Sequence, residues 1–206
     1  MTNEYFGGLD FGSSGARISI IDKSKEIIFE DSCIYNYEFK NPEGWINSCI
    51  KLFEGIPIQI KINLSRLSIS GTSGTLVPCS PNGAPLGNSI PYYEVCTSNP
   101  EKLNLIAGED KFLNNPYSSL AKAIKLIDTY GDNIILRHQA DWISGWFLND
   151  WSFGEEGNNL KLGWNIANKS WPESFESFSL TQSIPVIKKS GSILGKINQS
   201  IANLLG

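Results

Sequence analysis

An acidic residue at the end of a short apolar run, followed at once by a turn of glycine and serine, suits phosphate chemistry. Leu9-Asp10-Phe11-Gly12-Ser13-Ser14-Gly15-Ala16-Arg17 has that form. Such a turn between two strands points several backbone N–H groups into one concavity, and without a Cβ at Gly12 and Gly15 a phosphate can come close. Asp10, at the strand end, can hold Mg²⁺ near the same phosphates, usually through water. The same residues also suit an ordinary hairpin connection, because Asp, Gly and Ser are turn formers in their own right. Two other phosphate loops are excluded. No G-x-x-x-x-G-K-S/T occurs, and Gly8, Gly12 and Gly15 do not have G-x-G-x-x-G spacing. A second turn of small hydroxyl residues, Gly71-Thr72-Ser73-Gly74, follows Leu67 and Ile69 at another strand end.

The other chemistry-bearing residues point less sharply. His138 is the sole histidine and falls in a helical pattern, where a structural role competes with general-base duty. A serine hydrolase would need that histidine and a G-x-S-x-G turn. None occurs, since Gly71-Thr72-Ser73-Gly74 is one residue short. Trp142, Trp146, Trp151 and Trp164 can stack on a sugar, although helical spacing makes the first two core residues. Asp141 reads as a helix-surface charge and Glu155-Glu156 as loop solvation. Cys33, Cys49, Cys79 and Cys96 lie far apart with no C-x-x-C pair, which indicates free thiols and no zinc site.

The elements that carry these residues follow from periodicity and punctuation. Tyr5 to Asp10, the alternating stretch from Arg17 and the run Ile27–Phe29 make an antiparallel meander. Asn41-Pro42 starts a helix with Ile46, Cys49, Ile50 and Phe53 on one face, which Gly55 can end. Both 56–64 and 65–70 alternate like strands. Thr75 to Pro78, the turn Pro81-Asn82-Gly83 and Leu86 onward resemble a hairpin. Asn115-Pro116 repeats the capping device before Tyr117, Leu120, Ala121, Ile124 and Ile127, and a third helix is expected over 138–148 with Ile143, Trp146 and Phe147 inward. The stretch 149–171 is aromatic and Gly-rich without steady period, and 184–206 carries no closing signal.

Composition bounds the function classes. The 206 residues carry 17 basic and 21 acidic side chains, a net charge of -4, which argues against a phosphate-backbone partner. Nucleic acid is therefore not expected. Only 18% of residues are charged, against about 25% in ordinary domains, so some of the aromatic surface is expected to face a partner, a second domain or another copy. No apolar run approaches a membrane span and no secretory pattern opens the sequence, so the expectation is a soluble, cytoplasmic protein without a membrane partner. The sequons at Asn63, Asn168 and Asn198 are then chance matches.

Several motifs, in this order, resemble one family. LDFGSSGAR looks like the first phosphate loop of the FGGY carbohydrate kinases. NPEGW (41–45), SISGTSGTLVPCSPNGAPL (68–86), NPYSSLAK (115–122), HQADWISGWF (138–147) and WSFGEEGNNLKLGWN (151–165) follow as that family would have them. The match spans nearly the whole chain and is most similar to the plant and cyanobacterial D-ribulose kinases often labelled xylulose kinases. It implies an α/β, ribonuclease-H-like lobe of the actin, heat-shock ATPase and sugar-kinase superfamily, a mixed sheet flanked by helices. It implies ATP and Mg²⁺ as cofactors and a pentulose as substrate. Asp10 matches the family Asp near the metal and the transferred phosphoryl group, and Gly12, Ser13, Ser14 and Gly15 match its phosphate loop. Thr72, Ser73 and Gly74 match the turn lining the sugar side. Where the family often has Asn-Asp for sugar hydroxyls, this chain has Tyr93-Glu94, a carboxylate one methylene longer. The resemblance also implies a missing half. Family members continue with a G-T-T-D-S-like segment that supplies the catalytic Asp and with a C-terminal nucleotide-binding lobe. The 206 residues are thus expected to be one kinase lobe, from a truncated form, a split gene or a decayed gene, completed by a separately encoded lobe or remaining as a non-catalytic sugar-binding or assembly module.

Overall fold

The computed structural model describes residues 4–206. Two compact units are present, one running up to Thr72 and taking in Ile197–Gly206, the other Ser73–Lys196.

In the first unit, β1 (Tyr5–Phe11), β2 (Gly15–Ile21) and β3 (Ile27–Ile34) form the antiparallel meander, and β4 (Leu64–Gly71) joins β1 in parallel, giving the order β3-β2-β1-β4. Alternation sets the faces: Leu9, Phe11, Ile18 and Ile20 are buried, while Asp10 and Arg17 are exposed. Helix α1 (Pro42–Gly55) packs on β2 and β3. The Asn41 side chain accepts the Glu43 N–H at 2.9 Å and caps it, with Pro42 in the first turn. Its buried stripe is Trp45, Ser48, Cys49, Leu52 and Phe53, whereas Ile46 and Ile50 are half-buried. The inward face is therefore turned from the expected one, because the Trp45 ring is wholly buried and donates Nε1–H to Phe39 O at 2.9 Å. Ile58–Lys61 is a single helical turn, α2, and not a strand. Pro57 before it has φ -55, ready for a helix start, and cannot donate to a ladder.

The second unit is built on β5 (Leu76–Cys79) paired antiparallel with β6 (Ile135–His138). Isolated bridges Leu76↔Ile90 and Cys79↔Pro85 supply the expected hairpin in reduced form. Helix α3 (Pro100–Ala107) has no counterpart among the expected elements, although Asn99-Pro100 repeats the Asn41-Pro42 device and Asn99 Oδ1 accepts the Lys102 N–H at 3.1 Å. Helix α4 (Ser119–Tyr130) is capped by Ser118, not by Asn115. Asn115 Oδ1 instead accepts the Tyr117 N–H in a local turn, which leaves Tyr117 outside the helix and exposed. His138 ends β6, and α5 (Gln139–Leu148) starts one residue later with Ile143 and Phe147 buried and Trp146 half-buried. The irregular stretch beyond holds β7 (Phe153–Glu155) and a 3-10 turn at Leu160–Leu162, then α6 (Ser174–Ser177) and β8 (Val186–Lys188), which runs parallel to β7. One core joins Leu76, Leu120, Ile124, Leu136, Leu162 and Phe175.

The chain then returns to the first unit as α7 (Gln199–Leu205), which packs on α1. Asn198 caps it by accepting the Ser200 N–H at 2.9 Å, a start signal the end of the sequence does contain. Lys61 Nζ donates to Leu205 O at 2.9 Å. All four cysteines are free thiols, and burial pushes Cys79 up to about 12. Among the described residues no helix is long and apolar enough to cross a membrane.

Candidate functional site

Asp10 is next to last in β1, on the face opposite Leu9 and Phe11, with its side chain exposed. The turn after it is tied by Gly12 N–H to Gly15 O at 3.0 Å, and the Tyr35 hydroxyl donates to Gly12 O at 2.8 Å. Ser13 and Ser14 are exposed. The two glycines serve different ends. A Cβ on Gly15 would lie 2.2 Å from Cys33 O, so glycine there lets β2 and β3 close up. A Cβ on Gly12 would meet only Gly15 O, at 3.5 Å, which leaves open space beside the turn for a ligand. Arg17 stands opposite Asp10 in the β1–β2 register, on the same face, where cross-strand neighbours have Cβ atoms about 5 Å apart. In the sequence, only the place of Arg17 two residues beyond the turn sets it apart.

β4 runs parallel to β1 with Ser70 opposite Asp10 and Gly71 opposite Phe11. Both small-residue turns therefore leave the sheet at the carboxyl ends of adjacent parallel strands, where open α/β sheets bind ligands. Thr72 ends the first segment of this unit and Ser73 opens the second unit.

In the second unit, Ser73 is exposed and Gly74 is buried with φ +89, a conformation that favours glycine. A Cβ there would stand 3.3 Å from Lys161 Cδ and 3.7 Å from Tyr92 Cβ, so the turn, Lys161 and the Tyr92–Glu94 segment adjoin. Glu94 is half-buried and pairs with Lys125, Oε1 to Nζ 3.2 Å. Beneath the same segment the Lys122 side chain is fully buried, donating to Tyr117 O at 2.6 Å and Tyr92 O at 3.5 Å, and burial lowers its ammonium to about 8. These contacts fix the backbone that presents Glu94, a task not visible in the sequence.

His138 is structural. It is 1% exposed, with Nε2 2.9 Å from Ser119 Oγ, and burial holds its ring down to about 3, so it is neutral. Asp141 corrects the surface-charge expectation. Its carboxylate is 5% exposed and accepts from Glu155 N–H (3.0 Å), Asn158 Nδ2 (2.8 Å) and Asn159 Nδ2 (2.8 Å), tying α5 to the 155–159 turn. Burial nevertheless pushes it up to about 6. Glu155 and Glu156 accept from Asn158 N–H and Ser190 N–H respectively and hold that turn. The tryptophans are largely committed as well. Trp142 Nε1 donates to Gly83 O and Trp151 Nε1 to Trp142 O, both at 3.0 Å. Trp164 meets Trp171 edge to face at 5.3 Å, beside a groove of about 590 Å³.

No family model matches the sequence. Solved structures match its fold. A xyloylose kinase from Brucella ovis superposes with a TM-score of 0.83 at 14% identity, covering 98% of this chain and 46% of its own. The xylulose kinase of Rhodospirillum rubrum gives 0.82 at 14%, covering 98% and 47%. The glycerol kinase of Plasmodium falciparum, crystallised with ADP, gives 0.77 at 15%, covering 98% and 46%. The chain therefore has the sugar-kinase fold and spans less than half the length of these proteins.

Proposed function

We propose that this chain is the sugar- and phosphate-side lobe of an ATP-dependent carbohydrate kinase acting on a ketopentose, D-ribulose or D-xylulose. The observation that carries the reading is the delivery of the Asp10–Gly15 hairpin and the Gly71–Thr72 turn from the carboxyl ends of parallel neighbours. The fold it shares with kinases named for xylulose and glycerol supports the same conclusion. In the reaction, a primary hydroxyl oxygen bonds to the γ-phosphorus of ATP, the bond from that phosphorus to the β–γ bridging oxygen breaks, and ADP departs. The hydroxyl proton passes to a carboxylate. The protein contributes mostly positioning and charge stabilisation.

Backbone N–H groups of Ser13, Ser14 and Gly15 and the Arg17 guanidinium receive the phosphate charge. Thr72, Ser73 and Glu94 take sugar hydroxyls, with the backbone around Glu94 fixed by Lys122 and its carboxylate oriented by Lys125. Mg²⁺ needs one or two carboxylates besides phosphate oxygens and keeps several waters, so the exposed Asp10 fits it. When bound, the ion neutralises charge on the phosphates. The proton acceptor and the adenosine pocket belong to a second lobe beyond these 206 residues, on the same polypeptide or another.

Calorimetric titration with D-ribulose and D-xylulose, with and without MgATP, beside a coupled ADP-release assay, tests this. The expected result is ketopentose binding with turnover far below the roughly 1–100 s⁻¹ of kinases. Losing the positioned partner groups forfeits about 7–11 kcal/mol of catalysis, and adding the nucleotide lobe restores it. No ketopentose binding overturns the proposal, and binding that stays unproductive with the second lobe present identifies a sugar-binding module instead.

A further inference from the structure

Arg137, on β6, is 3% exposed. Nε donates to Trp151 O at 2.5 Å, and Nη1 donates to Leu136 O at 2.7 Å and Ser183 O at 3.0 Å. A guanidinium has five N–H donors, and among the described residues acceptors are found for the one on Nε and the two on Nη1 but for neither on Nη2. No carboxylate forms an ion pair with Arg137 among the described residues. Burying a cation with no carboxylate in direct contact is costly, and burial lowers this guanidinium to about 10 although the Asp141 and Asp150 charges offset part of that shift. A neighbouring oxyanion would offset that cost.

Arg137 lines an open groove of about 480 Å³. Asn82, Asn149 and Ser152 add hydrogen-bonding groups to it, and Ile184 and Val186 an apolar flank. Ser73, Gly74 and Glu94 are not among its lining residues, so it is distinct from the sugar-side turn. We propose that this groove binds a small oxyanion, a carboxylate or a phosphate ester, end-on at Nη2 of Arg137. Asp150 lines the same groove while accepting the Ser152 N–H at 2.8 Å, and its charge opposes an anion. It thereby tunes affinity downward and provides a means of testing the site without touching the buried cation. The inference stands apart from the kinase reading, since neither needs the other's residues.

The test is thermal-shift titration of the full chain with inorganic phosphate and, separately, with acetate, each against sodium chloride at matched ionic strength. A saturable rise in Tm with phosphate or acetate, absent with chloride, is expected, and the arm that saturates at lower concentration identifies the preferred oxyanion. Asp150→Asn removes the opposing charge and should tighten the midpoint by at least about threefold. Val186→Asp, at a position 60% exposed, adds one and should weaken it by a similar factor. Both variants keep Arg137 and its three carbonyl contacts. A rise matched by chloride, or midpoints unmoved by either variant, overturns the proposal.

Discussion

Asp141 and His138 are both buried and hold opposite proton affinities, so replacing one exposes the other. In the folded chain His138 sits at about 3, below its ordinary 6.5, and Asp141 at about 6, above its ordinary 3.8. Between about pH 4 and 6 the unfolded chain carries one proton on His138, and the folded chain carries one on Asp141. The proton counts match, so this pair leaves stability flat across that window. Asp141→Asn removes the compensating group. The His138 contribution, present above pH 6.5 and lost as pH falls toward about 3, then stands alone. Stability should fall by about 1.4 kcal/mol per pH unit, or about 2 kcal/mol between pH 6.5 and 5. Urea unfolding at half-unit steps from pH 7.5 to 4.5, wild type beside variant, measures it. Parallel curves for the two proteins refute the reasoning, whatever the variant's constant offset from losing a buried acceptor.

In an enzyme completed by its nucleotide lobe, Asp10→Asn should lower kcat on the order of 10²- to 10³-fold with little change in sugar affinity. Ser73→Ala should weaken sugar binding by roughly 0.5–1.5 kcal/mol with a smaller rate effect, and steady-state kinetics showing the reverse pattern would contradict the division of roles. Glu94→Ala breaks a half-exposed ion pair with Lys125, so denaturation should register under about 1 kcal/mol while calorimetry registers loss of ketopentose affinity. Gly145→Ala would bring a Cβ to 2.3 Å from Trp151 Cδ1 in a packed layer, and chemical denaturation should show a cost of about 1–3 kcal/mol or more.

The small-residue turn after Asp10 and the meander were legible because their signals are local: alternation in Arg17–Ile20, an acidic strand end and small residues between. Asn41 was legible as a cap for the same reason. Asn115 misled because Asn-x-Tyr makes an Asx turn as readily as a helix start, and it is Ser118, three residues before Ala121, that presents an oxygen to a free N–H of the first helical turn. Asp141 was illegible in kind. Its partners Glu155, Asn158 and Asn159 lie 14 to 18 residues away, and no pattern within α5 announces that a turn will close over it. The same holds for Lys122, whose chain looks like surface until Tyr92 and Tyr117 supply carbonyls beneath it.

The first unit is discontinuous in sequence, and that has a consequence for biosynthesis. Its sheet and α1 emerge from the ribosome early, but α7, which buries Leu205 and receives the Lys61 ammonium on its last carbonyl, emerges only after Ser73–Lys196. At about 5–20 residues per second that interval is roughly 6–25 s. During it, the surface of α1 that α7 will cover is open to water and to other nascent chains, while loop closure across the inserted unit must still be completed. The early sheet therefore waits as an intermediate with one helix place vacant, and chaperone demand should track the time taken to translate the insertion rather than the stability of the finished fold.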